Sequence, residues 1–134
     1  MLRNKMLAAV ITLVIGIFII PLFVGSSYRY SISHGIYGTT FTGPAMLVAV
    51  LVSILIEHYS KIKNIIVMYL KHLLCALTYS LLFSLVMSDK NTLSGSIYIT
   101  VSLSSIYITI FVIFDYLLKF LFKWHLHNLS KNEN

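Results

Sequence analysis

The stretch SIYITVSLSSIYITIFVIFDYLLKFLF, from Ser96 to Phe122, decides how the chain is read. Its first part alternates, with Ile97, Ile99, Val101 and Leu103 apolar between Tyr98, Thr100, Ser102 and Ser104. Alternation with a period of two argues for a half-buried strand. The remainder is apolar almost throughout, and the whole exceeds the roughly 20 residues that carry a helix across a hydrocarbon core. In lipid a lone strand leaves its N–H and C=O groups without partners, whereas a helix satisfies them internally. The other apolar stretches lack strand alternation, so this one is read as a helix.

Working outward, three more apolar stretches lie at residues 6–24, 41–59 and 65–87, and the fourth spans 96–114 or 96–122. The chain has 134 residues, 58% hydrophobic and 10% charged. A soluble domain carries about 25% charge, so an ordinary water-soluble globule is excluded. The apolar content equally excludes a disordered chain. The predicted fold is all-α: a polytopic membrane protein, a bundle of four transmembrane helices forming one domain over residues 1–134, with a short disordered tail at 130–134. The segments between spans are too short for a catalytic module, and no enzyme activity is expected.

The basic residues set the expected orientation, because Lys and Arg are retained on the cytoplasmic side of short loops. Placing both termini inside puts Arg3, Lys5, Lys61, Lys63, Lys119, Lys123 and Lys131 in the cytoplasm and leaves Arg29 and Lys90 outside. The expected location is the plasma (inner) membrane, multi-pass. The formal charge of +6 is then mainly a topogenic signal, and the lipid bilayer is the first partner. Nucleic acid is not expected as a partner, since the basic residues are scattered and do not form a patch with stacking aromatics. The first span, preceded by Arg3 and Lys5, is longer than the core of a signal peptide and reads as an uncleaved anchor.

Helix ends carry their own signals. Thr42, Gly43 and Pro44 read as a helix start, with Pro at the first helical position, where its missing N–H is harmless. From there to Tyr59 the span is short, which leaves local thinning of the bilayer, an earlier start or a re-entrant segment open. Pro21 is expected to kink or end the first helix. The segment Gly25–Thr40 reads as the largest outer loop, with Tyr28, Tyr30 and Tyr37 as interfacial anchors.

Between helices in lipid, small residues and hydroxyls mark the contact faces. Such rows recur at four-residue spacing: Ala8, Thr12 and Gly16; Ala45, Ala49 and Ser53; His72, Ala76, Ser80, Ser84 and Ser88. Ser102, Ser105 and Thr109 mark the fourth helix. These rows predict packing seams.

From Asp115 to Leu129 the pattern changes. Asp115, Lys119, Lys123 and His127 share a face, and Trp124 stands among leucines and phenylalanines. That pattern predicts a C-terminal amphipathic helix lying in the headgroup region, with Lys119, Lys123, His127 and Trp124 as its interfacial residues. A competing reading keeps the helix straight and brings Asp115 inside, within reach of Lys71 on the third span. Intramembrane ionisable groups are functional candidates by default, so Lys71, His72 and Asp115 form the candidate polar site. No phosphate-binding loop, dinucleotide fingerprint, nucleophile elbow or zinc motif occurs. No cofactor, metal or catalytic residue is expected, and His125 and His127 read as a solvated pair. Cys75 is the sole cysteine and reads as a packing residue.

The run from Ile36 to Ser84 contains the pair Tyr37–Gly38, the segment SILIEHYSKIKN from Ser53 to Asn64, and YLKHLL from Tyr69 to Leu74. In these it resembles uncharacterised small four-span membrane proteins of Bacillus-type bacteria and their prophages. The resemblance implies four helices and a plasma-membrane location, and brings no activity with it. Small multidrug transporters are similar in size, but the glutamate expected in their first helix is missing here. The functional expectation is an accessory, immunity-type or interaction protein acting through helix packing, as a homo-oligomer or with another membrane protein. The alternatives are a small transporter or channel using Lys71, His72 and Asp115, and a phage-type membrane permeabiliser.

Overall fold

The structure, a computed structural model, describes residues 2–24, 32–60, 64–89 and 91–132. Four helices follow one another: α1 (Leu2–Val24), α2 (Ile32–Tyr59), α3 (Ile65–Met87) and α4 (Leu93–Asn132). All four are long and apolar enough to cross a membrane.

Two prolines are accommodated without ending a helix. Pro21 lies inside α1 and Pro44 inside α2. Pro44 is therefore not a helix start: α2 begins at Ile32 and, with 28 residues, is about 42 Å long at 1.5 Å per residue. Of the alternatives for the second span, the earlier helix start is the one observed, while the apolar part of α2 remains Thr42–Tyr59, 18 residues. The expected outer loop shrinks in consequence, since its residues from Ile32 onward are helical; Tyr28, Arg29 and Tyr30 fall outside the described residues. The ring of Pro44 faces outward, and in the turn before it Thr39 and Thr40 donate hydroxyl hydrogens to the carbonyls of Ile36 and Tyr37, each at 2.6 Å.

Chain reversals at one end of α3 and at the other are tied by short polar contacts. Asn64 caps α3, its side-chain oxygen accepting the Ile66 N–H at 2.9 Å, which satisfies one of the free donors of a helix start. A turn from Asp89 leads into α4, with the Thr92 N–H donating to the Asp89 carbonyl at 3.0 Å. Such short connections make sequential helices antiparallel neighbours, and the bundle runs up, down, up, down. Side-chain contacts agree: Ser80 with Ser104 and Ser84 with Thr100 join α3 to α4 in opposite directions.

α4 differs most from expectation. It continues without interruption past Phe114 and through Ser130 to Asn132, about 60 Å in all, so no separate interfacial helix begins at Asp115. After Gly95 the segment contains neither Gly nor Pro that would break it. The last turns of α4 extend past the N-terminus of α1, where the guanidinium of Arg3 lies 4.6 Å from the centre of the Phe122 ring, a cation–π contact.

The core is formed by Ala8, Ala9 and Ile20 of α1, Met46 and Val50 of α2, and Tyr107, Ile108 and Phe111 of α4. Glycine lets these helices approach. A Cβ on Gly35 would stand 1.8 Å from the backbone oxygen of Ile17, and one on Gly16 would stand 1.8 Å from the Tyr107 hydroxyl. α1 is therefore pressed against α2 and α4, while α2 and α3 are the most loosely packed of the neighbouring pairs. Outside, Leu47, Leu51 and Leu55 on α2 and Leu70, Leu74 and Leu85 on α3 stand exposed. Apolar surface on that scale is foreign to a water-soluble monomer and suits a hydrocarbon surrounding.

The seams fall partly where the rows predict. Ala8, Thr12 and Gly16 are buried on α1, as are Ser80 and Ser84 on α3. On α2 the buried residues, among those described, are Gly35, Met46, Val50 and Ser53, with Ala45 and Ala49 half-buried. Steps of four rotate about 40° past a full turn on a 3.6-residue helix, so a row starting at Ser53 drifts off the buried face within two steps. On α4 the seam toward α3 is Thr100 and Ser104. Ser102 and Ser105 are half-buried beside it, and Thr109 meets the Tyr69 hydroxyl at 3.0 Å.

Candidate functional site

Each packing face ends in an ionisable residue at the same end of the bundle. Lys5 precedes Ala8 by one turn on α1; Glu57 follows Ser53 by one turn on α2; His72 opens the seam of α3; Asp115 follows Phe111 by one turn on α4. The antiparallel order brings all four together, and Lys119, one turn beyond Asp115, joins them.

Lys5 is the centre of the cluster. Its side chain is 0% exposed, and its ammonium donates to Ser53 Oγ at 2.5 Å, Glu57 Oε1 at 2.9 Å and Asp115 Oδ2 at 3.0 Å. These three bonds use all three donors that an ammonium has. Lys119 bonds the same two carboxylates, Asp115 Oδ2 at 2.8 Å and Glu57 Oε1. Two cations thus share two anions and the charges balance, which is how ionised groups persist away from water. Ser53 also meets His72 Nε2 at 2.8 Å, while His72 Nδ1 lies 2.7 Å from the Met68 carbonyl. A carbonyl only accepts, so Nδ1 carries a proton; Ser53 accepts from Lys5 and holds its second polar contact with Nε2. One polar atom stands apart: Asp115 Oδ1 is buried and has no hydrogen-bond partner among the described residues.

Beside the cluster, between the ends of α2 and α3 and the flank of α4, is a cavity of about 420 Å³. Glu57, His72, Asp115 and Lys119 line its polar side, and Ile65, Met68, Val112 and Tyr116 its apolar side. One turn further into the bundle every helix is apolar, with Ala8, Val50, Ala76 and Phe111 in succession around the axis. The cluster is therefore bounded by apolar side chains on the side of the core. Among the described residues no group of three or more His, Cys, Asp and Glu side chains is disposed to hold a metal ion.

No protein-family model, curated protein or solved structure matches the chain. The cluster is consequently read from its own chemistry.

Of the predicted polar site, His72 and Asp115 come together and Lys71 does not. The Lys71 side chain is exposed and its ammonium donates to Ser60 Oγ at 3.0 Å, so the partner of Asp115 is Lys5 and not Lys71. Position on the helix explains this: His72 faces the bundle, and the adjacent residue is turned by about 100°. Lys119, expected among headgroups, turns inward to the carboxylates. Lys123 and Trp124 are exposed, and the side chain of His127 lies outside the described residues, as does that of His125. Cys75 is exposed on α3. Lys5 and Glu57 are the residues that sequence reasoning left out. The signal was present, since extending the row Ala45–Ala49–Ser53 by four reaches Glu57, and stepping back three from Ala8 reaches Lys5. Lys5 was hidden by its second role as a basic residue before the first span.

Proposed function

We propose that the chain is a small carrier of the plasma membrane with both termini in the cytoplasm, and that Lys5, Glu57, Asp115 and Lys119, with Ser53 and His72, form its solute site. The observation that carries this reading is a charge cluster buried beside a 420 Å³ cavity and holding an unpartnered carboxylate oxygen. Ionisable groups inside a membrane bundle mark substrate and ion pathways more often than they serve stability, because a buried ion pair adds little net stability over an apolar replacement. A site bounded toward the core by Val50 and Phe111, both buried, fits a carrier better than an open channel. The orientation is supported by Arg3 and Lys123, which stand at the end of the bundle that holds the cluster, since basic residues are retained on the cytoplasmic side.

A second reading is favoured by the balance of charges itself. Lys5 is completely enclosed and ties α1 to α2 and α4, so the cluster also serves as a clasp, and a clasped bundle with apolar outer faces suits an accessory or interaction protein working beside another membrane protein.

Membrane potential and growth of bacteria expressing the wild type, Asp115→Asn and the control Lys71→Met separate these readings. The carrier reading expects a change in potential that Asp115→Asn abolishes and Lys71→Met retains. No change at verified expression leaves the interaction reading. Depolarisation indifferent to Asp115 indicates a permeabiliser.

A further inference from the structure

The two lysines that serve the carboxylates are not equivalent. Lys5 has a side chain that is 0% exposed, and all three of its donors are engaged. Lys119 has a side chain that is 36% exposed, uses two donors and borders the cavity. Lys119 also lies one turn nearer the end of the bundle, and a lysine there reaches the headgroup region along its own aliphatic stem. Lys5 is a fixed counter-ion. Lys119 is one that can leave.

We propose that Lys119 is a displaceable internal counter-ion, and that the cavity takes an organic ammonium with an apolar body in its place. This rests on the carrier reading and names its substrate class. When the Lys119 ammonium withdraws, Glu57 and Asp115 face the cavity with only Lys5 to balance them, and the site carries one net negative charge. An incoming ammonium restores neutrality, so the exchange buries no additional net charge, the condition under which ions are tolerated away from water. The carboxylates supply acceptors for its N–H group at the atoms that Lys119 leaves, Asp115 Oδ2 and Glu57 Oε1. Met68, Val112 and Tyr116 supply the wall for a hydrocarbon portion. The volume lies within the range of about 300–1,000 Å³ typical of small-molecule sites. A bare inorganic cation is a poorer fit, because hard cations need about six oxygen ligands, and most of this wall is apolar.

The test uses the purified full chain in lipid nanodiscs and three probes of similar shape: N,N-dimethylbenzylammonium, its neutral isostere isobutylbenzene, and the anion phenylacetate. The wild type is expected to bind the ammonium in preference to the other two. Lys119→Gln, which removes the internal competitor, is expected to bind it at least tenfold more tightly, and Asp115→Asn to lose that preference. A readout on the wild type guards against a variant that fails to fold: saturating ammonium should raise acetylation of Lys119 by an amine-reactive ester, followed by mass spectrometry, with Lys71 as internal reference. The probe has no acylable N–H and does not consume the reagent. Unchanged or weaker ammonium binding by a folded Lys119→Gln, a preference for phenylacetate, or unchanged Lys119 acetylation overturns the proposal. Ammonium binding and Lys119 release without uptake into vesicles uphold it while removing the carrier reading. Uptake of another solute without ammonium binding retains the carrier and removes this proposal.

Discussion

The two ends of the bundle solve the same problem in different ways. At the far end, Ser80 meets Ser104 and Ser84 meets Thr100 across α3 and α4. Three of these hydroxyls also have a carbonyl of their own helix within bonding distance: Ser80 that of Ala76, Thr100 that of Ser96 and Ser104 that of Thr100. At the near end, Lys5, Glu57, Asp115 and Lys119 lie on three helices, and the groups that balance Lys5 all belong to other helices. A hydroxyl in lipid satisfies itself locally and tolerates a range of neighbours. A charge is satisfied by distant residues, so it dictates which helices must meet and at what height.

That contrast is sharpened first by Lys5→Met. Removing one partner from a buried ionic network leaves uncompensated charge and is expected to cost about 3–5 kcal/mol, seen as a large drop in melting temperature in detergent. Asp115→Asn in the same chain should recover part of the loss; a double variant as unstable as the sum of the two singles would show that the residues act independently. The next effect is Ser53→Ala. It strips Lys5 of one acceptor and His72 of its partner, at about 1–3 kcal/mol for buried groups left unsatisfied, measured by the same thermal shift. Ser84→Ala at the far end should change stability by only about 0.6 kcal/mol, the average for hydrogen bonds between helices in lipid. If it proves as costly as Ser53→Ala, the distinction between the two ends collapses. The smallest effect belongs to Lys71→Met, which removes an exposed contact with Ser60 and is expected to shift stability by no more than about 0.5 kcal/mol. A large loss there would restore Lys71 to the site.

Much of this was legible in the residues. The row Ala8–Thr12–Gly16 is buried as its spacing predicts, because small side chains at helical repeat admit a neighbouring backbone. The rows on α2 and α4 were less informative, for different reasons. On α2 a spacing of four drifts around the helix, and the buried face passes through Met46 and Val50. On α4 hydroxyls occur on several sides, at Thr100, Ser102, Ser104, Ser105 and Thr109, and composition gives no reason to choose Thr100 and Ser104. Pro44 misled because prolines also occur inside helices suited to lipid, where local adjustment and neighbouring hydroxyls absorb the missing N–H.

Composition and the length of the apolar runs determined by themselves that the chain forms four helices able to cross a membrane, since a chain this apolar has no other way to satisfy its backbone in lipid. The basic residues determined the expected orientation. Tertiary structure alone decided that Lys5 serves as a buried counter-ion, that Asp115 turns to Lys5 instead of Lys71, and that Lys119 faces carboxylates. The reason is that a single helix fixes only the face on which a charge stands. Which opposite charge waits on that face is set by the direction and height at which the other helices pack.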